Sequence, residues 1–251
     1  MLTPLEPNLI KVVILAAGVG SRIRPLTDTC PKSLLSVGGK PIIERMIRNI
    51  QSCGLSEFIF VLGYMEDKIR DFIKINFPSL NVTFVVNERY QETNTGYSLM
   101  LTEDAVDASS FIKFDADVVF NPSILCRLLT DSSENALCID QNINLDVEEV
   151  KVVTDGLGQI LKVSKSIDPN SAIGESIGIE KISAKTSSLL FSELREMMKN
   201  TDNHQDYYEA AYERLIAKDV HFSAVNITDL DWVEIDTHED FSNANLIFLN
   251  H

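Results

Sequence analysis

The amino-acid sequence predicts an α/β fold: a doubly wound, mixed β-sheet with helices on both faces and a small antiparallel insertion in its second half. Three observations carry that expectation. Short apolar runs alternate with amphipathic stretches through the first half of the chain, the pattern of βαβ units. Glycine-rich or acidic segments follow several of those runs, where open α/β sheets bind ligands. From residue 150 the alternation gives way to two strands about a glycine turn, as in a hairpin.

Taken in order, Val12, Val13, Ile14 and Leu15 form a continuous apolar run, the mark of a buried parallel strand. Pro41 opens a helix with Ile42, Ile43, Met46, Ile47 and Ile50 on one face, and Gly54 ends it. A strand over 58–62 and a helix over 65–76 follow, then a strand over 82–86 and a short helix after Gly96. The strand at 111–114 ends at Asp115, and Asn121 and Pro122 read as the cap and first turn of a helix reaching Leu129. A strand over 136–140 precedes the hairpin of 150–165. IGIEKI is a strand, and 185–200 is a helix with Leu189, Leu190, Leu194 and Met197 inward. A second helix spans 207–218, HFSAVNI and WVEI are short strands, and a helix near 239–249 closes the chain. With no repeat or linker, the 251 residues suit one domain, 1–251, with a full core.

Composition narrows the function. A formal net charge of −15 disfavours a general nucleic-acid surface, which is basic. No apolar run is long enough to span a membrane, and MLTPLEPNLIK lacks the basic and apolar regions of a signal peptide. Cys30, Cys53, Cys126 and Cys138 are scattered without CxxC spacing, which reads as reduced thiols in a cytoplasmic enzyme. His204, His221 and His238 have no metal-ligand spacing. Nothing in the pattern marks a dimer seam.

The segment 12–43, VVILAAGVGSRIRPLTDTCPKSLLSVGGKPII, is where chemistry concentrates. Gly18 and Gly20 allow the backbone to turn and approach a ligand, and a concave row of N–H groups binds anions. Arg22, Arg24 and Lys32 add charge-assisted contacts suited to phosphate oxygens. A Rossmann dinucleotide fingerprint requires a third glycine where this chain has Ile23, and a Walker A loop requires Ser or Thr where Pro41 follows Lys40. Neither motif fits, so the sheet is Rossmann-like in winding only.

LAAGVGSRIRPLTDTCPKSLLSVGGKPII resembles the signature of the sugar-phosphate nucleotidyltransferase superfamily, and the likeness runs over nearly the whole chain. Length and later motifs are most similar to its phosphocholine cytidylyltransferase branch, with relatives acting on inositol phosphate or 2-aminoethylphosphonate. The resemblance implies the nucleotidyltransferase fold and Mg²⁺-dependent transfer of a nucleotidyl group, CMP from CTP in that branch. The acceptor is a small phosphorylated or phosphonate molecule such as phosphocholine, and pyrophosphate is released.

Asp115 and Asp117 stand in FDADVVF beyond a strand's carboxyl end, and such carboxylates suit Mg²⁺. Asp236, in DWVEIDTHED, also follows an apolar strand, and strand alternation puts Glu234 on the same face. The resemblance makes Asp117 and Asp236 the firmer ligands and Asp115 a further candidate. It also assigns Arg22 and Lys32 to the triphosphate, Lys165 to the acceptor phosphate and Glu175 to the acceptor pocket. The nucleotide then lies against Leu15, Ala16, Ala17, Gly18 and Gly20. Gly63 and Tyr64 lie in a loop near the base, and Asn87, Asn94 and Thr95 can offer donors and acceptors to a pyrimidine edge. Tyr208 and Trp232 are aromatic walls suited to a cationic acceptor. Within that reaction the acceptor could instead be a sugar 1-phosphate or 2-aminoethylphosphonate, and two more remote readings remain at this level. A nucleotide-sugar glycosyltransferase could use DAD as its metal motif, though it has no need of the Arg22–Lys32 segment. A non-catalytic nucleotide-binding module would bind without turnover.

Overall fold

A computed structural model describes residues 10–142 and 145–249. The absence of a leader was read from residues 1–11, most of which lie outside that range. In chain order the elements begin with β1 (Lys11–Ala16), β2 (Ser36–Val37), β3 (Lys40–Pro41), α1 (Ile42–Ser52), β4 (Glu57–Leu62) and α2 (Glu66–Asn76). Then come β5 (Asn81–Val86), α3 (Thr95–Met100), α4 (Glu103–Val106), β6 (Phe111–Asp115), β7 (Val118–Phe120), α5 (Pro122–Thr130) and β8 (Ala136–Asp140). The second half holds β9 (Lys151–Thr154), β10 (Ile160–Ser164), β11 (Gly174–Ile182), α6 (Ala184–Met198), α7 (Glu209–Ile216), β12 (Ser223–Asn226), β13 (Trp232–Glu234) and α8 (His238–Ile247).

The main sheet runs β10-β9-β11-β6-β1-β4-β5, with β8 joined to β11 and β12 to β8. β5, β4, β1 and β6 are parallel, and β11 is antiparallel to β6. The β9–β10 hairpin is the expected antiparallel insertion, with its register shifted between Ile160 and Lys162. Alternation along the strands divides the core. Val12 and Ile14 of β1 and Phe58 and Phe60 of β4 pack with α1, α2 and α5 on one face. Val13, Leu15, Ile59 and Val61 pack with α3, α6 and α7 on the other. Two-sided burial is what makes these strands continuous apolar runs.

Boundaries agree with the sequence except at a few points. Asn121 caps α5 through its side chain, with Pro122 in the first turn. The helix expected over 207–218 is α7, which starts only at Glu209, so Tyr207 lies outside it. Leu189 was expected inward but is 43% exposed. Leu190, Leu194 and Met197 are buried as expected and Phe191 joins them, while 3.6-residue periodicity rotates position 189 off that face. α6 carries too many apolar residues for the pattern alone to choose among them. Among the described residues, no helix is long and apolar enough to cross a membrane.

Register places the ligand-binding candidates. Leu15 is paired with Val61 and with Asp115, so the carboxyl ends of β1, β4 and β6 finish level. β13 pairs antiparallel with β7, opposing Glu234 to Val118. This ribbon, packed through Val119, Val233 and Ile235 against Ile23, Val37 and α8, brings the two acidic strand ends together.

Candidate active site

A cavity of about 920 Å³ opens at the carboxyl ends of the central strands. One wall is the β1 end and the loop after it: Leu15, Ala16, Ala17, Gly18 and Gly20 all line it. Gly20 has φ +65°, and a Cβ there would press on the Lys32 side chain, so glycine seats that lysine. A Cβ at Gly18 would meet nothing, so the main chain there stays open to the cavity.

The acidic group forms opposite this loop. Asp117 stands in the turn between β6 and β7, and the Ile235 N–H donates to the Asp117 carbonyl at 3.1 Å. One carboxylate oxygen from each of Asp117, Glu234 and Asp236 lies within 4.8 Å of the others. Lys32 Nζ donates to Asp117 Oδ2 at 2.7 Å and to Asp236 Oδ1 at 2.6 Å. Arg22 donates to Asp236 Oδ2 at 2.6 Å and to Glu148 Oε2 at 3.1 Å. Burial disfavours the Lys32 ammonium, yet Asp117 and Asp236 outweigh it and hold its pKa above the ordinary value. Burial would likewise raise Asp236, but Lys32 and then Arg22 keep it low. Burial, followed by the Asp117 and Asp236 charges, pushes Glu234 well up.

These residues fit a hard divalent cation. Hard cations take carboxylate oxygens, three carboxylates converge here, and Asp117 Oδ1 is buried without a hydrogen-bond partner among the described residues. Asp115 does not join them. Its Oδ2 accepts from Lys113 Nζ at 2.8 Å and from the Tyr208 hydroxyl at 2.8 Å. Gly178, at φ +75°, lies under it, where any Cβ would collide with the carboxylate. Asp115 is committed to Lys113 and Tyr208, and Glu234 takes the third place in the acidic group.

A second charged group lies beneath the cavity, on the side of β6 and β11. Lys113 is 0% exposed, 2.8 Å from Glu180 Oε2, and its Nζ sits 3.6 Å from the Tyr208 ring centroid. Burial opposes its charge, but Asp115 and Glu180 outweigh that and raise its pKa. Burial raises the pKa of Glu180 and pushes Glu209 up to about 7. Tyr208 lines the cavity, but it is 2% exposed and a face of its ring is occupied by the protein's own lysine. Lys113 and Glu180 were not singled out from the sequence. Their signal was there, as charged residues inside the apolar strands FIKF and IGIEKI.

The remaining candidates divide. Lys165 lines the cavity with its Nζ 5.0 Å above the Tyr207 ring, and Trp232 lines it with its indole N–H donated to Asp140 Oδ2 at 2.9 Å. Glu175 lines the same side. Burial, followed by Glu149 and Asp140, raises it to about 8. Asn94 and Thr95 line the cavity, and Asn94 caps α3 by accepting from the Thr95 N–H. Asn87 is also at the wall, but its amide donates to Thr93 and Ser98 and its carbonyl accepts from the Arg89 N–H. It braces the 87–98 turn and presents no free edge to a base. Gly63 and Tyr64 are not among the cavity-lining residues. A Cβ at Gly63 would strike the Ala17 carbonyl and Tyr90, and the Tyr64 hydroxyl donates to the Thr27 carbonyl. Close packing of the 62–67 loop on the 17–27 loop explains that glycine. Glu148, which holds Arg22, comes from a loop with no motif to mark it.

Residues 12–153 match the family model described as MobA-like NTP transferase domain. The chain is 24% identical over 249 residues to a CMP-5'-(3-aminopropyl)phosphonate synthase of Streptomyces rubellomurinus, covering 95% of this chain and 39% of that protein. It is 37% identical over 108 residues to a choline-phosphate cytidylyltransferase of Streptococcus pneumoniae, covering 43% of this chain and 44% of that protein. Each of these matches spans less than half of the relative's length. A CTP:phosphoglutamine cytidylyltransferase of Campylobacter jejuni is 27% identical, over 92% of this chain and 97% of its own. The solved CTP:phosphocholine cytidylyltransferase from Streptococcus pneumoniae superposes with a TM-score of 0.76 at 24% identity, over 95% of this chain and 98% of that one. That likeness establishes the mixed α/β fold.

Proposed function

Since the chain belongs to the family of MobA-like NTP transferase domains, we propose that it transfers CMP from CTP to a small phosphorylated or phosphonate acceptor and releases pyrophosphate. The observation that carries this is the meeting of two cations with a three-carboxylate group. Arg22 and Lys32 face Asp117, Glu234 and Asp236 across one cavity. Cytidine as the base, and a phosphate or phosphonate acceptor, are supported by the relatives named for those reactions.

The main chain of Leu15–Gly20 receives the triphosphate with its N–H groups. Arg22 and Lys32 exchange their carboxylate partners for phosphate oxygens as the nucleotide enters. Lys165 holds the acceptor's phosphate, which is already anionic and needs no general base. One acceptor oxygen forms a bond to the α-phosphorus in line. The bond from that phosphorus to the bridging oxygen breaks, and pyrophosphate leaves with the electron pair. The chain's own contribution is positioning and charge neutralisation. Asp117, Glu234 and Asp236 would hold Mg²⁺, which when bound neutralises phosphate charge.

Pyrophosphate release tests this, with Mg²⁺, the four common nucleoside triphosphates, and phosphocholine, phosphoethanolamine, 2-aminoethylphosphonate, inositol 1-phosphate and glucose 1-phosphate. Turnover confined to CTP with one of the first four acceptors is the expected result. Consumption of a nucleotide sugar without pyrophosphate release would overturn it in favour of glycosyl transfer. Binding of nucleotide without turnover would make the chain a binding module.

A further inference from the structure

The acceptor side of the cavity holds a carboxylate that the protein does not satisfy. Glu175 is 5% exposed at the start of β11, and its Oε2 has no hydrogen-bond partner among the described residues. Its neighbours carry both signs: Lys151 stands opposite it on β9, and Lys165 and Lys151 offset the surrounding carboxylates only in part. Cross-strand register sets it opposite Asp140, and Asp140 and Glu149 both act on it repulsively. Nearby cations are committed elsewhere. Lys151 Nζ donates to the main-chain carbonyls of Asp146 at 2.6 Å and Glu149 at 2.9 Å, and Lys165 lies over Tyr207. A buried carboxylate without a donor is costly. The terminal torsion of a glutamate is soft, so a small rotation turns this oxygen into the cavity that the residue lines.

Resting on the nucleotidyl-transfer reading above, we propose that the acceptor carries a protonated amine whose N–H donates to Glu175, and that quaternary ammonium acceptors are the poorer substrates. A trimethylammonium group has charge but no donor. Its methyls would keep water and N–H alike from the oxygen, leaving it desolvated and unpaired. A quaternary cation is recognised instead by open aromatic faces. Here Tyr208 faces Lys113 and, before ligand enters, Tyr207 faces Lys165; the Trp232 indole is held at its N–H edge by Asp140, so these rings do not close into a cage around a cation. Asp140, with one oxygen on that indole, supplies field more than contact. An N–H-bearing ammonium answers both demands of the site, neutralising the Asp140, Glu149 and Glu175 group and completing the bond that Glu175 lacks.

The test is a methylation series: phosphoethanolamine, its N-methyl and N,N-dimethyl derivatives, and phosphocholine, each with CTP and Mg²⁺ in a pyrophosphate-release assay. The first three keep an N–H. The expected kcat/KM falls by about tenfold or more at the last methylation, where the final donor is lost. In Glu175→Gln that step disappears while KM for CTP is unchanged. Phosphocholine turned over as well as phosphoethanolamine would overturn the inference and leave nucleotidyl transfer standing, as would a step that survives in Glu175→Gln. Turnover with inositol 1-phosphate alone would do the same. Silence with every phosphorylated acceptor and with 2-aminoethylphosphonate would overturn both readings.

Discussion

Lys32 Nζ and Asp236 Oδ1 meet at 2.6 Å across 204 positions of the chain. The same ammonium holds Asp117, so a residue suited to phosphate neutralises two residues suited to a metal. The site is paired with itself, and in the proposed reaction nucleotide and cation compete with that pairing.

Replacing Lys32 by Met therefore separates two effects. Divalent-cation binding without nucleotide, read by Mn²⁺ titration, becomes tighter because the ammonium no longer competes for Asp117 and Asp236. Turnover falls on the order of a hundredfold or more, as when one fixed contact to developing charge is lost. Unchanged turnover would remove Lys32 from the proposed mechanism.

Glu175 makes stability depend on pH in a defined direction. Burial, Glu149 and Asp140 raise it from an ordinary 4.5 to about 8, so between those values the folded state binds more protons than the unfolded chain. Stability from this group is complete below pH 4.5 and declines as pH rises towards about 8. Thermal melts of Glu175→Gln should exceed wild type by a few degrees at pH 8 and match it near pH 4. An advantage that is the same at both pH values would contradict the buried, repelled carboxylate.

Gly178→Ala should damage the floor of the site. The position has φ +75°, and a Cβ there would collide with the Asp115 carboxylate held by Lys113 and Tyr208. A loss of roughly 1–3 kcal/mol is expected for the backbone strain, with more from the displaced carboxylate, measured as a lowered denaturant midpoint. An unchanged midpoint would show that this glycine is not required.

Cys53, at the end of α1, and Cys126, on α5, have sulfur atoms 3.3 Å apart and are both free thiols. A low-molecular-weight disulfide such as oxidised glutathione should take two electrons and two protons from the pair and leave a Cys53–Cys126 bond. Peptide mapping under non-reducing conditions reads it, and Cys53→Ser abolishes it. In the chain-entropy picture the closed loop adds up to about 4 kcal/mol. Cross-links that form equally with Cys30 would show that the proximity is not maintained in solution.

The loop chemistry of residues 12–43 and the alternation of apolar runs were legible because both are local. A buried parallel strand must be apolar along its length, and a phosphate-binding turn needs glycines and cations within a few residues. Asp117 and Asp236 were legible for the same reason, each standing just past an apolar strand. At three positions the structure shows a packing role that the sequence reading did not include. Gly63 packs on Ala17, Asn87 is committed to Thr93 and Ser98, and Tyr208 is covered by Lys113. From the sequence each had an equally good ligand-facing explanation. Glu148 passed unnoticed because no motif surrounds it, although it touches Arg22; Glu180, which touches Lys113, was marked only by its charge inside an apolar strand.

By itself the sequence determined the winding of the sheet, the phosphate-suited loop and the acidic strand ends, since these follow from periodicity and from residues within a few positions of one another. Only the tertiary structure decided which carboxylate completes the acidic group, which aromatic rings remain open, and that Glu175 has no partner. Those outcomes depend on the β7–β13 register and on what β11 and α7 bring beneath the cavity. Side-chain partners in this fold come from strands and helices far apart in the chain, and their orientation is set by packing that no local pattern encodes.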